Sequence, residues 1–557
     1  RRQRQMCIRD SYWCERVFAP CVDFEEIMRK NDIPLYALES LEPVKDFDFI
    51  GFTMQYEMSY TNVLNMLDLA HVPVWAKDRG NDLAPLVVAG GPCVCNPEPL
   101  ADFFDLFILG EGEEVNLELM DLYNQHKKNG STRQEFLKDA AQIKGIYVPS
   151  LYNVQYNDDN TIKSVTPIGN APAVIKKRII KDFDKVYYPE SFVVPFSDIV
   201  HNRASVEVLR GCIRGCRFCQ AGFLYRPFRE KSTESIYNQA KALCENTGYD
   251  ELSLASLSTS DHSDIQNMLS KLIDYTEGEH INLSLPSLRI DNFSEELLEK
   301  VKRVRKSGLT FAPEAGTQRL RDVINKNVSE EEIMNTCRIA FEGGYSNVKL
   351  YFMMGLPTER DEDIVGIAEL AQRIIDLYYT IENRPKGRGV QVSISTATFV
   401  PKPFTPFQFE AQDTKEMIEH KQKLLVSSVK TKKIKVSWHD PNVSMLEAVL
   451  AKGDRRLSQV IYKAWQKGCK FDSWSEHYKY DKWLEAFDEC NISPEFYANR
   501  QRPYDEILPW DHLDYYVSKE FFVRESQTAR AGKTTPNCRQ KCSACGLVKE
   551  TGVKCFE

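Results

Sequence analysis

Three cysteines stand close together in Val206–Lys231, which reads VEVLRGCIRGCRFCQAGFLYRPFREK. Cys212, Cys216 and Cys219 have the spacing C-x3-C-x2-C, directly after an apolar run that reads as a strand. Three thiolates on one short loop can face three corners of a four-iron cluster and leave one iron without a protein ligand. An open coordination position is what separates a reactive metal site from a closed structural one. Gly211 and Gly215 let the backbone wrap, and Arg210, Arg214 and Arg217 are placed to offset the negative charge of a cluster and tune its potential. The competing reading is a zinc knuckle completed by a distant fourth ligand, or chance spacing.

A second group lies in NCRQKCSACGLVKETGVKCF, where Cys538, Cys542, Cys545 and Cys555 are spaced x3, x2 and x9. Four thiols suffice to close a tetrahedral zinc site or to hold an auxiliary iron–sulfur cluster; reduced free thiols are the alternative. Arg539, Lys541, Lys549 and Lys554 give this group a basic surround. With the Lys-rich stretch Lys421–Lys435 it is the candidate for an RNA contact, against the plainer reading of that stretch as the solvated face of a helix and strand. The other nine of the 16 cysteines read as small buried hydrophobes. Cys93 and Cys95, in GGPCVCNP beside a Gly-rich turn, fit that reading least well.

Charge and composition bound the function. With 72 Lys+Arg against 80 Asp+Glu the net charge is -8, the wrong sign for a chain that coats a nucleic-acid backbone. A mix of 42% apolar and 27% charged residues is that of a globular protein, and 557 residues are enough for three or four domains. No apolar run is long enough to span a membrane and no secretory leader is visible. Clustered thiols without such a leader point to the reducing cytoplasm and to metal or catalysis rather than disulfides.

The elements that must position these thiols fall into two alternating series. The first eleven residues, RRQRQMCIRDS, do not join the pattern and are set aside, so that the native start is expected to be missing; a downstream domain is a further candidate absence. Residues 12–147 alternate strand and helix, with strands at Asp48–Gln55, Pro85–Ala89 and Leu106–Leu109, as in a Rossmann-like, doubly wound parallel sheet. Residues 148–200 read as a connecting hairpin region. Residues 201–409 offer six strands, Ser205–Leu209, Glu251–Ala255, Asn282–Pro286, Leu309–Ala312, Asn347–Met353 and Val390–Thr396. Helices between them, with Ser294, Ser329 and Asp361 as N-caps, make a partial (β/α)6 barrel whose chemistry sits at the carboxyl ends of its strands. Residues 410–530 read as helical and 531–557 as the four-cysteine end.

The Cys212–Cys219 segment resembles the signature of the radical S-adenosylmethionine (SAM) superfamily. Nearly the whole chain resembles one branch of it, fused proteins with a cobalamin-binding-like domain ahead of a radical SAM core. The resemblance implies a [4Fe-4S] cluster on Cys212, Cys216 and Cys219, with SAM chelated at the open iron and Phe218 bordering the adenine. SAM would then be cleaved reductively to a 5′-deoxyadenosyl radical that removes a substrate hydrogen, with a flavodoxin or ferredoxin as electron donor. Leu254–Asp261 corresponds to the loop that binds the SAM amino group, so Ser256 and Ser258 are candidates, although the Gly-Gly-Glu often found there is absent. Glu314, Arg319 and Arg321, in FAPEAGTQRLRDVINK, are candidates for ribose or carboxylate contacts, or else a surface ion-pair set. Gly355 opens GLPTE, which resembles the loop that packs on the adenine, and Phe399–Gln408 resembles the segment after strand six in methylthiotransferases. Gly90, Gly91 and Leu109–Glu114 resemble strand ends that approach a corrin. The Asp-x-His-x-x-Gly element is lacking, so the alternatives there are cobalamin held without a protein histidine, or a Rossmann-like scaffold. The implied activity is methyl or methylthio transfer to an unidentified substrate; the alternative from another class is a non-catalytic, metal-dependent RNA- or protein-binding factor.

Overall fold

The computed structural model describes residues 12–196, 199–284, 309–382, 384 and 389–552. The expected helix from Ser294, and Cys555 of the second thiol group, lie outside the described residues. In the N-terminal part, β1 (Phe49–Thr53), β2 (Leu86–Gly90) and β3 (Leu106–Ile108) run parallel in that order, and β4 (Ile146–Tyr147) joins β3 antiparallel. Two helices in succession, α2 (Gly112–Asn129) and α3 (Arg133–Ala140), carry the chain from β3 to β4, so it re-enters the sheet from the opposite end to a single-helix crossover. Leu86 and Val88 of β2 pack with α2 and α3, while Val87 and Ala89 pack with α1 (Tyr60–Leu69). A strand apolar on both faces is what helices on both sides of a parallel sheet require. The connecting region contributes the expected antiparallel hairpin, Tyr152–Tyr156 with Ile162–Pro167.

The barrel strands all run parallel. β5 (Ala204–Glu207), β6 (Glu251–Ala255) and β7 (Asn282–Ser284) form a three-stranded sheet in the order β7-β6-β5. β8 (Leu309–Glu314), β9 (Asn347–Met354), β10 (Gln391–Thr398) and β11 (Ile434–Trp438) form the second, in sequence order. Helices α4 (Thr233–Thr247) and α5 (Ile265–Gly278) cover the outer face of the first sheet. Helices α6 (Glu330–Glu342), α7 (Asp361–Thr380) and α8 (Lys415–Ser428) cover the second. Ser329 caps α6 through a reciprocal box with Glu332, as its sequence implies. Asp361 is the first helical residue of α7 rather than its cap, which is Arg360.

β11 is a seventh parallel strand, in a segment expected to be helical. Its alternation is hidden because the exposed positions carry Lys435 and Ser437 and only Ile434 and Val436 face the helices. Beyond it, α9 (Pro441–Lys452) and α10 (Leu457–Gln466) share one core with α1 and the strand ends of the N-terminal sheet, through Leu446, Val449, Val460 and Ile461 against Met54, Leu64 and Val94. The two ends of the chain therefore pack as one body. No helix among the described residues is long and apolar enough to cross a membrane.

Candidate active site at the barrel mouth

Cys212, Cys216 and Cys219 lie on the loop that leaves the carboxyl end of the first barrel strand. Gly211 starts the loop at φ +88°, and a Cβ there would fall 2.8 Å from the carbonyl oxygens of both Tyr225 and Pro227. The wrap of this loop is therefore possible only with glycine. Burial, and then the neighbouring Cys216, push the Cys212 thiol up to about 12; the same two causes push Cys219 up to about 11. The three sulfurs thus share one desolvated place, where thiolates are held only against bound cations. The Arg214 amide donates to the Cys212 sulfur at 3.4 Å. Among the described residues no three His, Cys, Asp or Glu side chains converge closely enough to hold a single metal ion. A cubane distributes its thiolates over separate irons, one to each of three corners.

The loop arginines do not serve as free counter-charges, contrary to the sequence expectation. Arg210 pairs with Glu207 and Glu113, at 2.9 and 2.7 Å. Arg214 makes a two-point contact with Asp261, at 3.0 and 2.5 Å. Arg217 is wholly buried, bonded to Glu525 and to the carbonyl of Val323. Each is a clasp, and together they tie the cysteine loop to helix α2 of the N-terminal part, to the loop after the second barrel strand and to the C-terminal helix α11 (Lys519–Arg530). Glu113, Asp261 and Glu525 carry no local signal, lying 97, 47 and 308 residues from their arginines, whereas Glu207 is three residues from Arg210.

The other candidates follow the barrel round. Ser256 and Ser258 follow β6, and their hydroxyls are engaged by Thr259 at 2.7 Å and by Asp261 at 2.8 Å. Asp261, 2% exposed, is the hub of this loop and closes the quoted motif without having been singled out. Glu314 ends β8 in the left-handed region, φ 68°, and its carboxylate meets Lys326 at 3.1 Å. That pair acts on Cys219 from opposite sides, Lys326 favouring its thiolate and Glu314 opposing it, so it belongs to the cluster's surroundings. A non-glycine residue in this backbone region costs roughly 1–3 kcal/mol and is characteristic of functional loops. Arg319 reaches across to the Thr358 carbonyl at 2.9 Å and to Asp363, whereas Arg321 is fully buried and bonds the Ala315 carbonyl at 3.1 Å. Arg319 and Arg321 thus brace the loops of the fourth and fifth strands. Phe218 packs against the apolar cluster that contains Leu320, Leu356 and Phe399, bringing the cysteine loop together with three later strand exits. The amide of Gly355 donates to Glu359 at 2.7 Å, and Glu359 in turn meets Lys421 at 2.7 Å. Lys421, first of the Lys-rich stretch, is therefore buried in an ion cluster rather than presented to RNA.

Two further groups were placed by sequence. Gly90 ends β2, and a Cβ on Gly91 (φ +103°) would meet the Met54 carbonyl oxygen at 2.7 Å, so this glycine allows two strand ends to touch. Leu109–Glu114 meets the barrel, with Glu111 on Arg229 at 2.9 Å. In the second thiol group, the Cys538 amide donates to the Ile213 carbonyl at 3.0 Å, inside the first group's loop. Burial raises the Cys538 thiol, with Cys545 and Cys542 adding to it. Arg539 donates to the Asp261 carbonyl at 2.6 Å. The terminal thiols, distant in sequence, are thus docked on the cysteine loop.

A parallel α/β barrel with three thiols on the loop after its first strand defines a class, that of iron–sulfur enzymes working at the carboxyl mouth of the barrel. Comparison with known proteins agrees. Residues 4–149 match the family described as radical SAM proteins, N-terminal, and residues 206–371 match the radical SAM superfamily. An uncharacterized protein of Methanocaldococcus jannaschii is 31% identical over 437 residues, 78% of this chain and 84% of that protein. The tRNA-2-methylthio-N(6)-dimethylallyladenosine synthase of Desulforamulus reducens is 22% identical over 182 residues, 31% of this chain and 39% of that one. Among solved structures, the radical SAM methyltransferase TsrM of Kitasatospora setae, with cobalamin and a [4Fe-4S] cluster bound, is 13% identical at a TM-score of 0.45, over 70% of this chain and 66% of that one. The chain belongs to the radical SAM superfamily. It is an enzyme of the class that uses a [4Fe-4S] cluster and SAM, and the reading as a non-catalytic binding factor falls away.

Proposed function

We propose that this chain cleaves S-adenosylmethionine reductively and uses the 5′-deoxyadenosyl radical to begin methyl or methylthio transfer to an unactivated carbon. The observation that carries the reading is the gathering of Cys212, Cys216 and Cys219 in one desolvated loop at the barrel mouth, with the Glu314–Lys326 pair beside Cys219. When bound, the cluster supplies one electron to the sulfonium, whose C–S bond breaks to leave methionine and the radical. The chain's own part is to hold the three thiolates, to fix the loops through Arg214–Asp261 and Arg319–Thr358, and to keep water from the mouth with Phe218 and Leu356. A reduced flavodoxin or ferredoxin in the cytoplasm is the proposed electron source. Anaerobically reconstituted protein is expected to form 5′-deoxyadenosine from SAM and dithionite. Cys219→Ala should form none while keeping its far-ultraviolet circular dichroism. A wild-type sample holding four irons per chain that yields no 5′-deoxyadenosine overturns the proposal.

The proposed transfer does not require cobalamin. A corrin would seat at the carboxyl edge of the N-terminal sheet, where the Asn96 amide bonds the carbonyls of Ala451 and Gly453 at 2.9 Å each. At the same edge Lys402 pairs with Glu57 and Glu447, at 2.7 and 2.8 Å. The residues present there bind one another. Stoichiometric uptake of hydroxocobalamin by wild-type protein would reinstate the corrin as methyl carrier. Cys538, Cys542 and Cys545, with Cys555, would hold a second metal or cluster. Iron and zinc content of Cys542→Ala against wild type tests it, loss of metal being expected.

A further inference from the structure

Barrel interiors of this architecture are ordinarily filled with layers of branched apolar side chains. On the four-stranded half of this barrel they are not. Val348, Leu350, Val392, Ile394 and Ile434 face outward beneath the helices, so the alternate positions face the interior. In register across three strands these are Lys349, Ser393 and Lys435, and, two residues on, Tyr351, Ser395 and Ser437. Lys349 and Lys435 are exposed to this space, and Tyr351 is 39% exposed. The Lys349 ammonium lies 4.7 Å from the centre of the Tyr351 ring. Neither lysine, on the amino-terminal half of its strand, has a carboxylate partner among the described residues, whereas the basic residues Arg210, Arg214, Arg217 and Lys326 at the mouth all do.

Two strand spacings separate Lys349 from Lys435 by about 10 Å at the Cα, a gap that two long side chains can close on a single anion over Ser393. Unpaired like charges on one concave wall repel each other and raise the local concentration of anions. A polar interior with a row of hydroxyls costs packing energy that branched side chains would have supplied, and such a departure from the rule marks a functional site.

We propose that the barrel interior binds a small anionic substrate, bearing carboxylate or phosphate groups, whose charge is taken by Lys349 and Lys435 and whose remainder rests on Tyr351 and the serine row. The inference deepens the proposed function and rests on it, since the anion would lie on the strands that lead up to the cysteine loop. The experiment is calorimetric titration of full-length, anaerobically reconstituted protein with citrate and, separately, with pyrophosphate. Wild type is expected to bind at least one saturably. Lys349→Gln and Lys435→Gln should each weaken that binding about tenfold, the loss of one charge-assisted hydrogen bond. Lys349→Arg and Lys435→Arg should retain it, which excludes a folding defect as the cause. Wild type that binds neither anion overturns the inference. So does binding indifferent to both lysines, or lysine-dependent binding of a single-stranded RNA oligonucleotide alone. Formation of 5′-deoxyadenosine by wild type, measured without either anion, reports on the proposed reaction alone, so the two readings fail separately.

Discussion

Asp261 shows how much one carboxylate can hold at this site. It accepts from both arms of Arg214 on the cysteine loop and from the Ser258 hydroxyl on its own loop, and its carbonyl accepts from Arg539 of the C-terminal thiol segment. Asp261 is 2% exposed, so the Arg214 pair is a buried one. Removing one partner of such a pair leaves an uncompensated charge in low dielectric, at a cost of roughly 3–5 kcal/mol. Asp261→Ala is expected to lower stability by about 3 kcal/mol and to retain less iron per chain, read by urea unfolding and by metal analysis. Asp261→Asn, which keeps the shape and one acceptor, should lose less of both. If the alanine variant unfolds with wild-type midpoint and holds full iron, the clasp is not what positions the loop. Asp261 stands at the end of a motif already visible in the sequence, yet nothing local distinguishes it. Its partner is 47 residues away.

At the scale of elements, legibility followed periodicity. Glu251–Ala255 and α6 appear where apolar spacing and the Ser329–Glu332 cap put them, because their signals are local. β11 was missed because three of its five positions are exposed or polar, so the period-two pattern had too few apolar members to stand out. The antiparallel β4 follows from two consecutive helices, α2 and α3, which the reading of 12–147 as a parallel sheet does not anticipate. The wrap of the cysteine loop has a stricter local cause, that Gly211 has no substitute. Gly211→Ala places a side chain at φ +88° and 2.8 Å from two carbonyl oxygens, which costs about 1–2 kcal/mol for the backbone alone and more for the clash. At Gly215 the new Cβ would meet only the Asn325 amide, at 3.1 Å, the end of a side chain that can give way. Gly211→Ala is therefore expected to lose at least about 2 kcal/mol of stability together with most of its iron, and Gly215→Ala much less of either. Equal losses in the two variants would mean that the wrap of the loop is not set at Gly211.

The whole molecule is held together where its two ends meet, and that junction carries an acid sensitivity. His512, from the C-terminal segment, lies 5.0 and 5.9 Å from the rings of Tyr147 and Tyr152. It approaches Glu98 at 3.6 Å, and Glu98 is also bonded by Arg455 at 3.0 Å and by the Tyr147 hydroxyl at 2.5 Å. Burial brings the imidazole down to about 4, with Arg455 acting in the same direction and Glu98 against it. Neither ring nitrogen has a hydrogen-bond partner among the described residues, so only the attraction of Glu98 favours the charged ring, and burial outweighs it. The unfolded chain takes up a proton on this imidazole near pH 6.5, whereas the folded chain does so only near pH 4. Between those values the unfolded state binds more protons, so stability is intact above pH 6.5 and declines as pH falls through the window. The difference of about 2.5 pH units corresponds to about 3 kcal/mol by pH 4. His512→Phe keeps a ring among the tyrosines and removes the titration. Urea unfolding at pH 6.5 and pH 4.5 is expected to show a pH-dependent loss in wild type that exceeds the variant's by about 2–3 kcal/mol, the remainder in both coming from carboxylates. An identical loss in the two proteins would show that the imidazole is already charged in the folded state and that the junction is held by Glu98 and Arg455 without regard to it.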